Sequence, residues 1–103
     1  MTTIDHSHPR HRLDTHLQNP VRFSIVAALD RATTIGFREV RDAIEVTDSA
    51  LSKQVALLEA AGYVSVGKAF TGKTPRTSLT LTRQGREAWR AHLAALREIA
   101  GQA

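Results

Sequence analysis

The sequence predicts an α+β fold that is mainly helical, and three observations predict it. Residues 47–62 place Leu51, Val55 and Leu58 at helical spacing and end on a glycine, Gly62. The apolar period then drops to two, through Tyr63, Val64 and Val66 before a Gly/Pro-punctuated turn and Thr77, Leu79 and Leu81 after it. Residues 83–100 return to helical spacing, with Trp89, Leu93, Leu96 and Ile99 interleaved with alanines.

The elements follow in order. Residues 1–9 are polar, contain histidines and end at Pro9, which reads as a flexible tail ahead of a domain spanning 10–103. A short helix is expected over 10–17, where Leu13 and Leu17 stand four apart. Asn19 is a good N-cap and Pro20 suits the first helical position, so the first firm helix starts there. Val21, Ile25 and Leu29, with Val26 beside them, form its core stripe, which fades at Arg31 and Ala32. Thr33, Thr34 and Ile35 predict a short edge strand. Gly36 can cap a helix over 37–44 whose inward residues are Phe37, Val40 and Ile44, and Glu45-Val46 makes the next turn. Thr47 is the N-cap of the third helix, Asp48 sets negative charge at its positive dipole end, and Gly62 supplies a left-handed C-terminal residue. The turn between the long strands is expected over 71–76, and Thr82 caps the last helix.

A chain of 103 residues has room for one domain with a modest core, so a second copy would help its stability. A hydrophobic content of 42% with 23% charged residues belongs to a folded domain rather than a disordered one. No apolar run approaches the ~20 residues of a membrane span, and the opening MTTIDHSHPRHR lacks the apolar core of a secretory signal. A cytoplasmic protein without a membrane partner is therefore expected. The absence of cysteine excludes disulfides, thiol chemistry and thiolate metal ligands. The formal net charge is +4, and its distribution is more telling. No acidic residue lies between Glu59 and Glu87, whereas Lys68, Lys73, Arg76, Arg83 and Arg86 do, which points to a polyanionic partner.

Helix, strand, basic hairpin and helix in this order describe a winged helix-turn-helix with a two-stranded β-wing and a C-terminal dimerisation helix at about 83–100. Such a fold offers duplex DNA a helix for the major groove and a cationic loop beside it. With Leu51, Val55 and Leu58 inward, Ser49, Ala50, Lys53, Ala56 and Leu57 face outward, flanked by Ser52 and Gln54. Small Ala50 lets the backbone approach the groove, and Ser49 and Ser52 suit phosphates. Lys53 can reach guanine acceptors; Gln54 reads either as a bidentate contact to adenine or as a packed boundary side chain. Leu57 is expected to pack on the wing or the second helix, contact with a thymine methyl being the alternative. On the wing, Lys68, Lys73 and Arg76 supply charge and Thr71, Thr74 and Thr77 hydroxyl donors. The planar guanidinium of Arg76 suits a narrow, negative minor groove. Arg38 and Arg41, near Asp42 and Glu45, read as members of surface ion pairs.

Several of these residues carry a family resemblance. The Asn19-Pro20-Val21-Arg22-Phe23-Ser24-Ile25-Val26 stretch resembles the Pro-x-Arg-x-x-Ile-Leu opening of ArsR-type winged helix repressors. Ser49-Ala50-Leu51-Ser52-Lys53-Gln54-Val55, followed by Leu58-Glu59-Ala60-Ala61-Gly62-Tyr63-Val64, resembles the recognition helix and following strand of MarR- and ArsR-type regulators. Leu81-Thr82-x-x-Gly85 is similar to the join between wing and last helix in the MarR group. The resemblance covers roughly residues 12 to 100 and implies a compact, single-domain MarR-like regulator. It further implies a homodimeric repressor on a pseudo-palindromic operator, released by a small-molecule effector, with the N-terminal segment and last helix forming the dimer interface.

The seam between copies is expected to use Leu13, Leu17, Trp89, Leu93, Leu96 and Ile99, with Ala91, Ala94 and Ala95 allowing close approach; closure of these residues over the protomer's own core is the alternative. His6, His8, His11 and His16 form a His-x-His-x-x-His pattern and its neighbour, which in a fixed geometry could bind zinc, nickel or copper. A loosely ordered tail is the expected state, so no metal or cofactor is assigned. No nucleophile elbow, phosphate-cradling glycine loop or helical zinc pair is present, and no catalytic residue is assigned. Two rivals to a DNA-binding regulator stay open: a winged helix used for protein–protein assembly, and a regulator responsive to metal through its N-terminal histidines.

Overall fold

The computed structural model describes residues 7–101. Residues 1–6, with His6 and most of the expected tail, lie outside the described residues. In place of one short helix over 10–17 there are two 3₁₀ turns, Pro9–Arg12 and Thr15–Leu17. Leu13 adopts extended backbone (φ −66°, ψ 139°) and separates them. His8 and Asp14 cap the two turns by accepting the N–H groups of Arg10 and His16. The first turn begins at Pro9, so ordered structure crosses the boundary expected between tail and domain.

Helix α1 (Pro20–Ala32) starts where the cap chemistry places it: Asn19 Oδ1 accepts the N–H groups of Val21 and Arg22 at 2.9 and 3.1 Å. It ends at Thr33, held at φ 67°, and this costs the first strand its expected first residue; β1 is Thr34–Gly36. Helix α2 (Phe37–Ala43) and helix α3 (Asp48–Ala60) are joined by a turn through Glu45, another residue with positive φ (57°). Thr47 Oγ1 accepts the Ala50 N–H at 3.1 Å to cap α3. At the other end Gly62 takes φ 83°, its N–H reaches the Glu59 carbonyl, and the Tyr63 N–H reaches the Leu58 carbonyl, both at 3.0 Å. This paired closure lets the chain leave a helix and enter a strand with only three residues, 61–63, between them.

Strands β2 (Val64–Thr71) and β3 (Thr74–Leu81) form the hairpin, and β1 adds to the other side of β3, giving an antiparallel sheet of order β1-β3-β2. The turn is tighter than the expected 71–76. Only Gly72 and Lys73 lie between the register partners Thr71 and Thr74, and Gly72 takes φ 64°. Pro75 is thereby drawn into β3, at a level beyond the reach of β1, which pairs only with residues 78–80. Helix α4 (Arg83–Ile99) closes the fold, capped by Thr82.

The core lies between α1, α2, α3, the base of the hairpin and α4. Ile25, Val26, Leu29, Val40, Leu51, Val55 and Leu58 enter from the helices, and Val64, Leu79 and Leu81 from the strands. Trp89 completes it, with the Phe23 ring centroid 4.7 Å away. Of β2 only Val64 is buried, so the distal wing stands clear of the core.

Candidate nucleic-acid interface

The apolar period of α3 leaves one face to solvent. Ser49, Ser52, Lys53 and Ala56 are exposed on it, and Ala50 is half-buried. Leu57, expected to pack, is instead 46% exposed, because β2 leaves the core after Val64 and does not cover that side of the helix.

Gln54 is not a free reader of bases in this structure. Its Oε1 accepts from Arg22 Nη1 at 2.7 Å, and Arg22 Nε donates to the His16 carbonyl at 2.7 Å. A bidentate adenine contact needs that oxygen as its acceptor. Gln54 thus ties α3 to α1 in this structure.

On the wing, the register sorts side chains between two faces. Val64, Val66, Lys68 and Phe70 share a face with Leu81, Leu79, Thr77 and Pro75. Arg76 pairs with Ala69, and Thr71 with Thr74, on the opposite face, while Lys73 stands in the turn. The wing cations thus surround the hairpin. Lys68, Lys73 and Arg76 are exposed, and no ion pair among the described residues involves them or Lys53.

Three other cations, Arg86, Arg83 and Arg41, are paired. Arg86 donates to Asp30 Oδ1 at 2.7 Å and to Thr33 Oγ1 at 3.0 Å, placing a cation at the negative C-terminal end of α1. Arg83 pairs with Glu87 one turn along α4. Arg41 donates to Asp48 and Asp42 at 2.8 and 3.0 Å, and these hydrogen bonds hold its guanidinium pKa above the ordinary value. Arg38, expected in such a pair, is exposed and enters no ion pair among the described residues.

A polar cluster that sequence reasoning did not assemble ties the N-terminal segment to the domain. Tyr63 donates its hydroxyl to Asp14 Oδ2, and the Asp14 N–H donates to His92 Nδ1 at 3.0 Å. Burial, then the hydrogen bond to Asp14 and its charge, push the Tyr63 phenol up to about 12. His92 is 2% exposed, and burial holds its imidazole below the ordinary histidine value, with Asp14 pulling the other way. Because the folded pKa is depressed, the unfolded chain binds the proton more readily. The stabilising contribution is full above the ordinary histidine pKa and is lost as pH falls through the folded one. Melting temperature is expected to drop as pH is lowered from about 7 toward 5. His92→Asn, whose amide oxygen can accept the same N–H, should flatten that slope; an unchanged acid slope in the variant would assign it elsewhere.

Leu17 and Trp89, expected at a seam between copies, are buried in the protomer's own core, Trp89 at 5% exposure. The inward stripe of α4 runs through Gly85, Trp89, His92 and Ala95, which turns Leu96 and Ile99 outward. Leu13 and Leu93 are half-buried. Leu13, Leu17, Pro20, Phe23, His92 and Leu96 line an apolar cleft of about 280 Å³ between the N-terminal segment, α1 and α4. Among the described residues no three His, Cys, Asp or Glu side chains converge to hold a metal, and no helix is long and apolar enough to cross a membrane.

An open helix face beside a basic, projecting hairpin defines a winged helix regulator that binds DNA. The chain belongs to the winged helix DNA-binding domain family, whose model matches residues 21–100. Among solved structures it is similar to a transcriptional regulator homologue from Pyrococcus horikoshii OT3, with a TM-score of 0.83 and 26% identity over 89% of this chain and 92% of that one. It shares the fold of NadR in complex with 4-hydroxyphenylacetate, with a TM-score of 0.71 and 20% identity over 90% of this chain and 65% of that one. It also shares the fold of overoxidized AbfR bound to DNA, with a TM-score of 0.74 and 15% identity over 88% of this chain and 66% of that one. The chain therefore spans slightly less than two thirds of these last two proteins. No curated protein matches it in sequence.

Proposed function

We propose that this regulator is a cytoplasmic homodimeric repressor that binds a pseudo-palindromic operator, with α3 in the major groove and the wing on the adjacent backbone and minor groove. The observation that carries this reading is that the exposed cations of α3 and the wing, Lys53, Lys68, Lys73 and Arg76, enter no ion pair among the described residues. Exposed cations outside such pairs are available for phosphates. Ser49, Ala50 and Ser52 let α3 approach the groove, Lys53 reads bases, and Thr71, Thr74 and Thr77 add donors to the wing.

The dimer seam we assign to the outward side chains of the former candidate set: Leu96 and Ile99, with Leu13 and Leu93 at its margin. NadR was solved with 4-hydroxyphenylacetate. The apolar cleft beneath Leu13 and Phe23 is the place in this chain for a small-molecule effector, at the boundary between seam and reading head.

Lys53→Ala and Arg76→Ala are expected to weaken operator binding while leaving the fold intact, since both side chains are exposed. Lys53→Ala should also relax sequence preference, by about 1–3 kcal/mol at the base it reads. Arg76→Ala should weaken all sequences alike and lower the salt slope by about 0.9 per lost phosphate contact. Selection from a random duplex library, followed by gel-shift titration in varied salt, measures both; identical selected sequences and slopes for both variants would refute the proposed division.

A further inference from the structure

Phe70 is 71% exposed, more than any other large apolar side chain among the described residues. Its place in the register makes this informative. The base of its face, Val64, Leu79 and Leu81, is buried in the core. One step out, Val66 and Thr77 line a cleft shared with Phe37 of α2 and with Ser52, Val55, Ala56 and Glu59 of α3. Beyond that cleft the same face continues through Lys68 to Phe70, with Pro75 as its cross-strand partner at the outer end. Phe70 thus extends the surface that begins with the exposed row of α3, and Arg76 lies on the other face of the hairpin.

The chain leaves this apolar pair in water, at a cost, and surrounds it with positive charge. Lys68 precedes it on its own face, Lys73 stands at the turn, Arg76 follows on the far face, and no acidic residue occurs between Glu59 and Glu87. That setting matches a polyanion with apolar walls. We propose that Phe70, backed by Pro75, is an apolar wedge that the wing inserts into the minor groove of duplex DNA, against the sugars and a partly unstacked base step. The flanking cations hold the phosphates on either side. This rests on the DNA-binding role of the wing given above and adds a residue that ionic contacts alone do not require.

Two consequences separate the wedge from the cations. Apolar contact releases no counterions, so Phe70 contributes affinity without contributing to the salt slope. The wedge also needs the floor of the minor groove, where guanine presents an amino group and A·T pairs do not. Inosine keeps the major-groove acceptors of guanine and lacks that amino group. The test is fluorescence anisotropy on labelled alternating dA-dT, dI-dC and dG-dC duplexes, with sedimentation and thermal melting of each variant. Wild type should prefer the first two. Phe70→Ala should lose roughly tenfold on those two, little on dG-dC, with its salt slope and melting temperature unchanged. Phe70→Leu, which keeps apolar bulk, should retain most of the affinity. Wild-type affinity of Phe70→Ala on all three duplexes would overturn the proposal, as would a loss shared equally among them or a dimer that falls apart in the variant. If wild type itself shows no salt-dependent affinity for any duplex, the DNA-binding role of the wing fails first, which is a distinguishable result.

Discussion

Gly85→Ala is expected to destabilise the protein by about 3 kcal/mol or more, a large share of a small domain's stability. Within a helix the same exchange ordinarily stabilises by about 1 kcal/mol, so the sign is reversed. Gly85 lies in the first turn of α4, and a β-carbon there would stand 2.2 Å from the Tyr63 carbonyl oxygen and 2.8 Å from Leu81 Cδ1. The Tyr63 carbonyl has no room to yield. It accepts the Thr82 N–H at 3.0 Å, while Thr82 Oγ1 accepts the Gly85 N–H at 2.9 Å and donates to the Gly62 carbonyl at 2.6 Å. The exit of α3, the start of β2 and the start of α4 are pinned together at this point. Denaturant unfolding measures the effect, with exposed Gln84→Ala as a control expected near wild type. A Gly85→Ala protein as stable as wild type would show that the contact between α4 and Tyr63 is not as close as described.

Removing all three wing cations, in Lys68→Ala/Lys73→Ala/Arg76→Ala, is expected to weaken binding to duplex DNA on the order of 10³-fold for a dimer at physiological salt. Each lost phosphate contact removes about 0.9 from the log–log salt slope, so two wings should account for several units. The three side chains are exposed and take part in no ion pair among the described residues, so the variant should fold and melt as wild type does. The same three substitutions on a hairpin used for protein assembly would leave DNA affinity unchanged, and anisotropy on random-sequence duplex tells the two apart.

What could be read in advance was local chemistry. Asn19, Thr47 and Thr82 form their caps, and Gly62 its left-handed exit, because each acts within three residues of itself. Likewise the spacing of Leu51, Val55 and Leu58 sets which face of α3 is open. What was missed depends on partners distant in sequence. The period of α4 marks an apolar stripe but not which of two cores receives it, so Trp89 and Leu17 went to the protomer interior rather than to a seam. Gln54 was ambiguous until Arg22 was brought beside it. The union of Asp14, Tyr63 and His92 has no sequence signal, since no spacing or motif links the three residues. Phe70 did carry one: alternation puts it on the core face, six residues beyond Val64, the last buried residue of β2.

The central claim is that an acid-free basic hairpin grips the DNA backbone while α3 sets the register. It is tested most directly by the salt dependence of wild-type binding to a random-sequence duplex, measured beside the triple wing variant. A steep negative log–log slope in wild type that becomes several units shallower in the variant is the predicted result. Flat or superimposable slopes would contradict it.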